Sequence, residues 1–357
     1  MLELFSEPML VALCGLVGGV ALGLAARIGR FCTLGAIEDL YYGESTLRLR
    51  MWGIAIGVAI IGTFQLSALG LLHLDQTLFL SRGWNPVGTI FGGLMFGYGM
   101  ALAGNCGYGA LARLGGGDMR SLVIVLVMGL AAYVALGGPL SGLRLWAFGV
   151  PDTAPVGSSY ATSLAGATGL SVELAGMIIG ALIIAFTLAN KEMRHSFSHI
   201  FWGAVVGFAI VSGWAGTQWV ADNGFDATPV LSHTFSAPIG ETMLYAMTSS
   251  GNTISFGTGS VLGVLLGAFI GSLFKGHFRW EACDDPRELG RQMLGASLMG
   301  FGAIITVGCS VGQGLSAFSV LAYSAPLTLL FILIGAAIGL KQLMLGIRPA
   351  FWPLTGR

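Results

Sequence analysis

Long apolar runs, rather than any alternation of apolar and polar positions, organise this chain. Nine of them approach 20 residues, at 9–29, 47–69, 86–104, 119–138, 171–190, 197–217, 256–275, 288–307 and 323–345. A helix needs roughly 20 apolar residues to cross a hydrocarbon layer about 30 Å thick, so each run predicts a spanning helix. Four further helix-like segments, 32–42, 106–115, 237–250 and 310–320, are too short and too broken by glycine to cross. They are predicted as re-entrant half-helices. The expected fold class is therefore an all-α integral membrane protein, with nine transmembrane helices plus four short re-entrant half-helices. Irregular backbone at membrane depth survives only where protein or a wet cavity surrounds it. The breaks beside the short segments are the places to look for chemistry.

Composition sharpens this picture. The 357 residues are 55% hydrophobic and 10% charged, where soluble domains carry roughly 25% charged residues. The 57 glycines suit helices that pack closely in lipid, because small residues let backbones approach. A formal net charge of zero gives no bulk attraction to nucleic acid. With the N-terminus outside and nine crossings, all of the 17 basic residues except Arg82 and Arg144 fall on one side. That is the positive-inside asymmetry, and it predicts a cytoplasmic C-terminus. The opening "MLELFSEP" carries two acids and no base, so no cleavable signal peptide is expected, and Pro8 suits a helix start. The segment 140–170, rich in Pro, Gly, Ser and Thr, reads as an external loop with an interfacial stretch around Trp146.

One polytopic membrane domain, 1–357, is expected, built from an internal repeat. At an offset of 203, Gly92, Gly97, Gly99, Cys106 and Gly109 fall on Gly295, Gly300, Gly302, Cys309 and Gly312. "FCTLGAIE" from Phe31 resembles "FSAPIGE" from Phe235, with Ser236 in the place of Cys32. Pseudo-repeats at about 1–140 and 197–357, separated by the external loop and a single helix, would be inverted in the membrane. Inverted repeats with broken helices place a binding site near the midplane, at the repeat interface.

Three of the five cysteines share one context. Cys32, Cys106 and Cys309 each follow the end of an apolar run and precede a short segment. Gly104 and Gly107 flank Cys106, and Gly308 precedes Cys309. Glycine permits positive-φ turns that leave backbone N–H groups free, and a helix starting there adds the positive end of its dipole. Together these make an anion site that needs no buried lysine or arginine. A thiol in it is a weak, polarisable donor. Cys14, inside an apolar run, reads as a small buried hydrophobe, and Cys283, in a charged loop, as incidental. No CxxC pair occurs, so neither a disulfide framework nor a zinc site is indicated.

Other polar groups are candidates for lining a cavity. Asn105 either offers its amide to a substrate or caps the following half-helix. Ser310 and Gln313 follow Cys309, while Ser236 and Asn252 supply polar groups in the second half. Arg30 lies two residues before Cys32 and is placed to guide an anion. Glu38 and Glu241 sit near half-helix ends, where carboxylates are functional or paired. The five histidines do not cluster at metal spacing, and lone loop histidines are read as solvated. No metal or cofactor is expected, and the absence of a P-loop gives no sign of direct ATP use.

"GRFCTLGA", "GNCGYGALARLGGG" and "VGCSVGQGLSA" resemble the motifs of the YeeE/YedE sulfur-transport family, most of all its thiosulfate-uptake members. The resemblance covers essentially the whole chain. It implies a transporter rather than an enzyme, in a bacterial cytoplasmic (inner) membrane, with an hourglass of two cavities. It also implies a thiosulfate path along Cys32, Cys106 and Cys309. A separate cytoplasmic sulfur-carrier partner of the TusA type is a further implication. Alternatives are a selenium species, sulfite or a neutral sulfur compound as substrate. Another is a membrane sulfurtransferase that forms a cysteine persulfide, although no Cys/His pairing is visible to activate a nucleophile.

Overall fold

The fold is a computed structural model that describes residues 6–43, 45–149, 159–225, 227–276, 278–281 and 286–345. Its helices in the first half of the chain are α1 (Glu7–Arg27), α2 (Thr33–Tyr41), α3 (Leu47–Ala68), α4 (Pro86–Ala103), α5 (Gly107–Gly115) and α6 (Met119–Leu136). Four more lie in the middle: α7 (Ser141–Phe148), α8 (Tyr160–Thr168), α9 (Val172–Leu188) and α10 (Lys191–His195). The second half holds α11 (Phe197–Asn223), α12 (Ser236–Thr248), α13 (Phe256–Phe274), α14 (Pro286–Ile305) and α15 (Ser324–Leu345). Between α14 and α15 a short helix over 310–319 contains the π-helical stretch Gly312–Ala317. No strand forms among the described residues, only three isolated β-bridges.

Each of the nine long apolar runs is helical. By length and apolarity, seven helical stretches suffice to cross a membrane, or eight if the bent pair α8–α9 counts as one span. α4 and α5 enter that count together as an interrupted stretch of 30 residues, Pro86–Gly115. α14 carries Arg287, Glu288 and Arg291 near its start, which dilutes its apolar run. The chain is thus a multi-pass membrane protein whose four short segments are short helices. Local chemistry sets their ends. Asn85 caps α4 ahead of Pro86 at the first position, where a missing N–H costs nothing. Asp118, Ser171 and Ser255 cap α6, α9 and α13 in the same way, each accepting a free N–H of the first turn. Exposed Leu182, Phe186, Phe208 and Phe274 belong on a surface that faces lipid.

The tightest packing joins α1 to α13, which run parallel. Gly15, Gly19 and Gly23 meet Gly259, Gly263 and Gly267, each set spaced by four residues. A Cβ on Gly259 would lie 1.9 Å from the Ala12 carbonyl oxygen, and one on Gly263 2.3 Å from that of Leu16. Spacing by four places all three glycines of each helix on one face, so the two backbones touch. α11 packs on α3 in the corresponding way, and α4 packs on both α14 and α15. Neighbours exchange between the halves: α14 lies on α6, α12 on both α6 and α13, and α2 on α3 and α15. Tyr108 ties α5 into this core by donating its hydroxyl to the Leu22 carbonyl at 2.6 Å.

The ladder generates a sharp expectation. Alanine is favoured over glycine in a helix by about 1 kcal/mol, but overpacking costs about 1–3 kcal/mol. The atom in the way is a carbonyl oxygen that cannot rotate aside, so the clash wins. Gly259→Ala should lower the thermal midpoint of the purified protein, whereas Gly142→Ala, with nothing within 4 Å of its Cβ, should not. Equal midpoints would contradict the close packing.

Candidate functional site

The three motif cysteines are built alike. Cys32 and Cys106 are the N-cap residues of α2 and α5, and Cys309 directly precedes the 310–319 helix. Each thiol accepts the backbone N–H three residues on: Gly35 at 3.5 Å, Gly109 at 3.3 Å and Gly312 at 3.4 Å. A helix start leaves N–H groups unpaired, and sulfur here satisfies one of them weakly. The remaining first-turn amides stay directed at whatever lies before the helix. The residue two before each cysteine is left-handed: Arg30 at φ 57°, Gly104 at φ 74° and Val307 at φ 56°. Glycine adopts that conformation freely, but a β-branched valine there is a genuine outlier. The chain therefore holds one geometry, a left-handed residue followed by a thiol cap, at three places and at some cost.

The fourth short helix differs. α12 is capped by Phe235 with no side-chain bond, and its residue three positions on is Pro238, which has no N–H to cap. Phe235 stands 203 positions after Cys32, the same offset that relates Cys106 to Cys309. The cap register thus sets Phe235, not Ser236, opposite Cys32, and Ser236 begins the helix.

Aromatic rings bring these caps together. Phe31 stacks on Trp52 with ring centroids 4.6 Å apart and meets the edge of Tyr108 at 6.4 Å. Tyr108 in turn packs on Phe235 at 5.4 Å. Thr234, beside Phe235, has its hydroxyl 3.7 Å from the Cys309 sulfur. Cys106 and Cys309 are buried and Cys32 is partly exposed. Two buried hydroxyls at the first positions of short helices, Thr33 and Ser236, have no hydrogen-bond partner, and the buried Ser310 hydroxyl has only the Cys106 thiol beside it. Unpartnered buried hydroxyls are uncommon and call for a reason.

Two cavities reach this cluster from opposite ends of α1 and α13. One, of about 670 Å³, has Arg27, Arg30, Arg48, Arg113, Lys275 and Arg279 in its wall together with Glu38 and Glu281. Cys32, Gly104, Asn105 and Gly109 form its floor. The other, of about 330 Å³, is lined by Glu7, Thr228, Ser232, Thr234, Glu241 and Ser255 among others. Cys32 and Gly109 thus border the first cavity, and Thr234, the neighbour of Cys309, borders the second.

The candidate residues sort unevenly. Arg30, Glu38, Gly104 and Asn105 reach the basic cavity and Glu241 the hydroxyl-lined one. Cys106, not Asn105, caps α5, which leaves the Asn105 amide at the cavity wall. Gly107 packs against Met128 of α6. Gly308 and Gln313 serve the turn before Cys309: Gln313 donates to the Thr306 carbonyl at 2.6 Å and accepts from Ser324 at 3.1 Å, while the Gly308 carbonyl accepts from Thr306. Asn252 is not among the residues lining these two cavities; it is exposed on the turn after α12 and bonds Thr248. His233 is not solvated but fully buried, its Nδ1 2.6 Å from the Ser260 hydroxyl, because the segment before α12 threads inward beside α13. Cys283 and His277 lie outside the described residues. Sequence reasoning passed over Thr234 and the basic wall from Arg27, Arg48, Arg113, Lys275 and Arg279. Thr234 had a signal, since it abuts the quoted "FSAPIGE" stretch.

Comparisons with known proteins agree in kind. A family model described as sulphur transport matches residues 28–338. The thiosulfate transporter TsuA of Escherichia coli (strain K12) is 29% identical over 340 residues, covering 90% of this chain and 92% of that protein. The thiosulfate transporter TsuA of Spirochaeta thermophila is 25% identical over 329 residues, covering 90% of this chain and 96% of that protein.

The left-handed position before Cys106 can be tested alone. A Cβ on Gly104 would meet nothing within 4 Å, so Gly104→Ala adds backbone strain and no clash. A left-handed L-residue costs about 1–2 kcal/mol, and Gly104→Ala should lose about that much stability in thermal unfolding of the purified protein. No loss would mean that the turn before Cys106 does not require the conformation.

Proposed function

The chain belongs to the sulphur transport family, and from that premise we propose that it imports thiosulfate along a path marked by its three capping cysteines. Its matched relatives carry the name of thiosulfate transporters. The observation that carries the reading is the septum between the two cavities, where the caps of four short helices converge. Thiosulfate is a dianion with one soft sulfur end and three oxygens. Free first-turn amides and helix dipoles favour its charge, and the buried hydroxyls of Thr33, Ser236 and Ser310 offer donors for its oxygens. The thiols supply weak, polarisable contacts for its sulfur. Weakness is a requirement, since an ion must leave each position as readily as it arrives.

The basic residues fall on the cytoplasmic side by the positive-inside rule. The ion then enters from outside through the hydroxyl-lined cavity and passes Thr234 and Cys309, then Cys106, then Cys32. It emerges in the basic cavity, where a TusA-type carrier would meet it. Two inverted halves in a bacterial inner membrane fit this path. The exchanged packing of α1 on α13 and α11 on α3 supports them, as does the common offset of the caps. Among the described residues no histidine or lysine is hydrogen-bonded to any of the three thiols, which favours passage over covalent sulfur transfer.

Radiolabelled thiosulfate uptake into proteoliposomes tests this reading. Removing one sulfur contact worth about 1.4 kcal/mol at the barrier slows passage about tenfold. Cys32→Ala, Cys106→Ala and Cys309→Ala should each lose at least that much uptake while remaining folded at normal levels. Wild-type uptake rates in folded Cys106→Ala protein would refute the cysteine path.

A further inference from the structure

The two cavities carry opposite charge. The basic cavity has six cationic side chains in its wall. The hydroxyl-lined cavity has no lysine, arginine or histidine among its described lining residues, and its charged groups are Glu7 and Glu241. The Glu7 carboxylate accepts the Phe225 N–H at 2.6 Å. Glu241 has no such amide. It is half-buried on the wall between Pro238 and Gly257, where a Cβ on Gly257 would come within 2.8 Å of its Oε2. The groups around it are few. α6 presents the Tyr133 phenol, the start of α13 presents the Ser255 hydroxyl, and α1 presents Glu7 across the cavity. α14 meets the first turn of α12 through apolar Phe301 and Ile304. None of these is a cation. Thr234, which touches Cys309, lines the same cavity, so a carboxylate stands on the approach to the first thiol.

We propose that Glu241 is a proton-operated charge filter, whose neutral carboxyl admits the dianion to Cys309 and whose carboxylate excludes it. This rests on the reading of the hydroxyl-lined cavity as the anion's entry. Protonated, Glu241 removes a like charge from the path and gains one O–H that donates to an anion oxygen. Ionised, it repels the dianion where no nearby cation offsets it. The sign follows: uptake is full below the Glu241 pKa and falls as the outer pH rises through it. Thiosulfate itself remains a dianion across that range.

The test is radiolabelled thiosulfate uptake into proteoliposomes at fixed inner pH, with the outer pH varied from about 5 to about 8. Wild-type uptake should fall along a one-proton curve, approaching tenfold per pH unit on its alkaline limb. Glu241→Gln should be flat at the low-pH wild-type rate, and Glu241→Asp should keep a one-proton curve. A flat wild-type profile overturns the filter, as does a Glu241→Gln protein that titrates like wild type. Should Glu241→Gln fail to fold, a flat Glu241→Asp profile overturns it. Absence of wild-type uptake at every pH refutes instead the thiosulfate reading on which the filter rests.

Discussion

Everything at the centre of this molecule depends on one constraint, that a helix beginning inside a dehydrated interior exposes amides which must find partners. At three such starts the partner is a thiol, the weakest acceptor a side chain of that size provides. Serine, threonine, aspartate or asparagine caps a helix better, and the chain uses them where the start is ordinary, at Asn85, Asp118, Ser171 and Ser255. Choosing sulfur at the septum forgoes capping strength. It leaves amides only partly satisfied, and the orphan hydroxyls of Thr33 and Ser236 point the same way. A fully satisfied septum would have little to offer a passing ion.

The constraint is enforced from outside the septum. Backbone contact between α1 and α13 through six glycines fixes the helix ends from which Cys32 and the entrance to α13 depart. Phe31, Trp52, Tyr108 and Phe235 then lock neighbouring caps to one another through ring contacts. These rings are rigid, so the spacing between thiols does not rely on flexible side chains. Left-handed residues at Arg30, Gly104 and Val307 turn the chain sharply enough for each short helix to start where the long one stops.

Much of this architecture was legible in the sequence. Helical runs announced themselves through apolar length, and the cysteines through their glycine neighbours and the offset of 203. What was hidden depended on contacts between distant segments. Arg30 and Val307 carry no local mark of a left-handed turn, because neither type favours it and only surrounding packing holds it. The same blindness misread His233, whose burial comes from threading past α13, and could not tell exposed Asn252 from its neighbours Thr253 and Ser255, which line the hydroxyl-lined cavity. Ser236 was aligned by residue type, whereas the helix caps set the register one position earlier. Pro238 explains why that register can hold phenylalanine: a helix whose third position lacks an N–H needs no side-chain acceptor there. Six bases from four separate segments form one cavity, a gathering that no local pattern encodes.

The central claim is that the septum uses cysteine for its sulfur and not for its size or its capping. Cys106→Ser separates these roles, because serine is smaller by little, donates a hydrogen bond and caps a helix more strongly. Thiosulfate uptake by Cys106→Ser proteoliposomes, beside a thermal midpoint of the same protein, measures both at once. The account predicts an unchanged or higher midpoint with uptake reduced about tenfold or more. Wild-type uptake in a stable Cys106→Ser protein would contradict it and reduce the thiol to a cap.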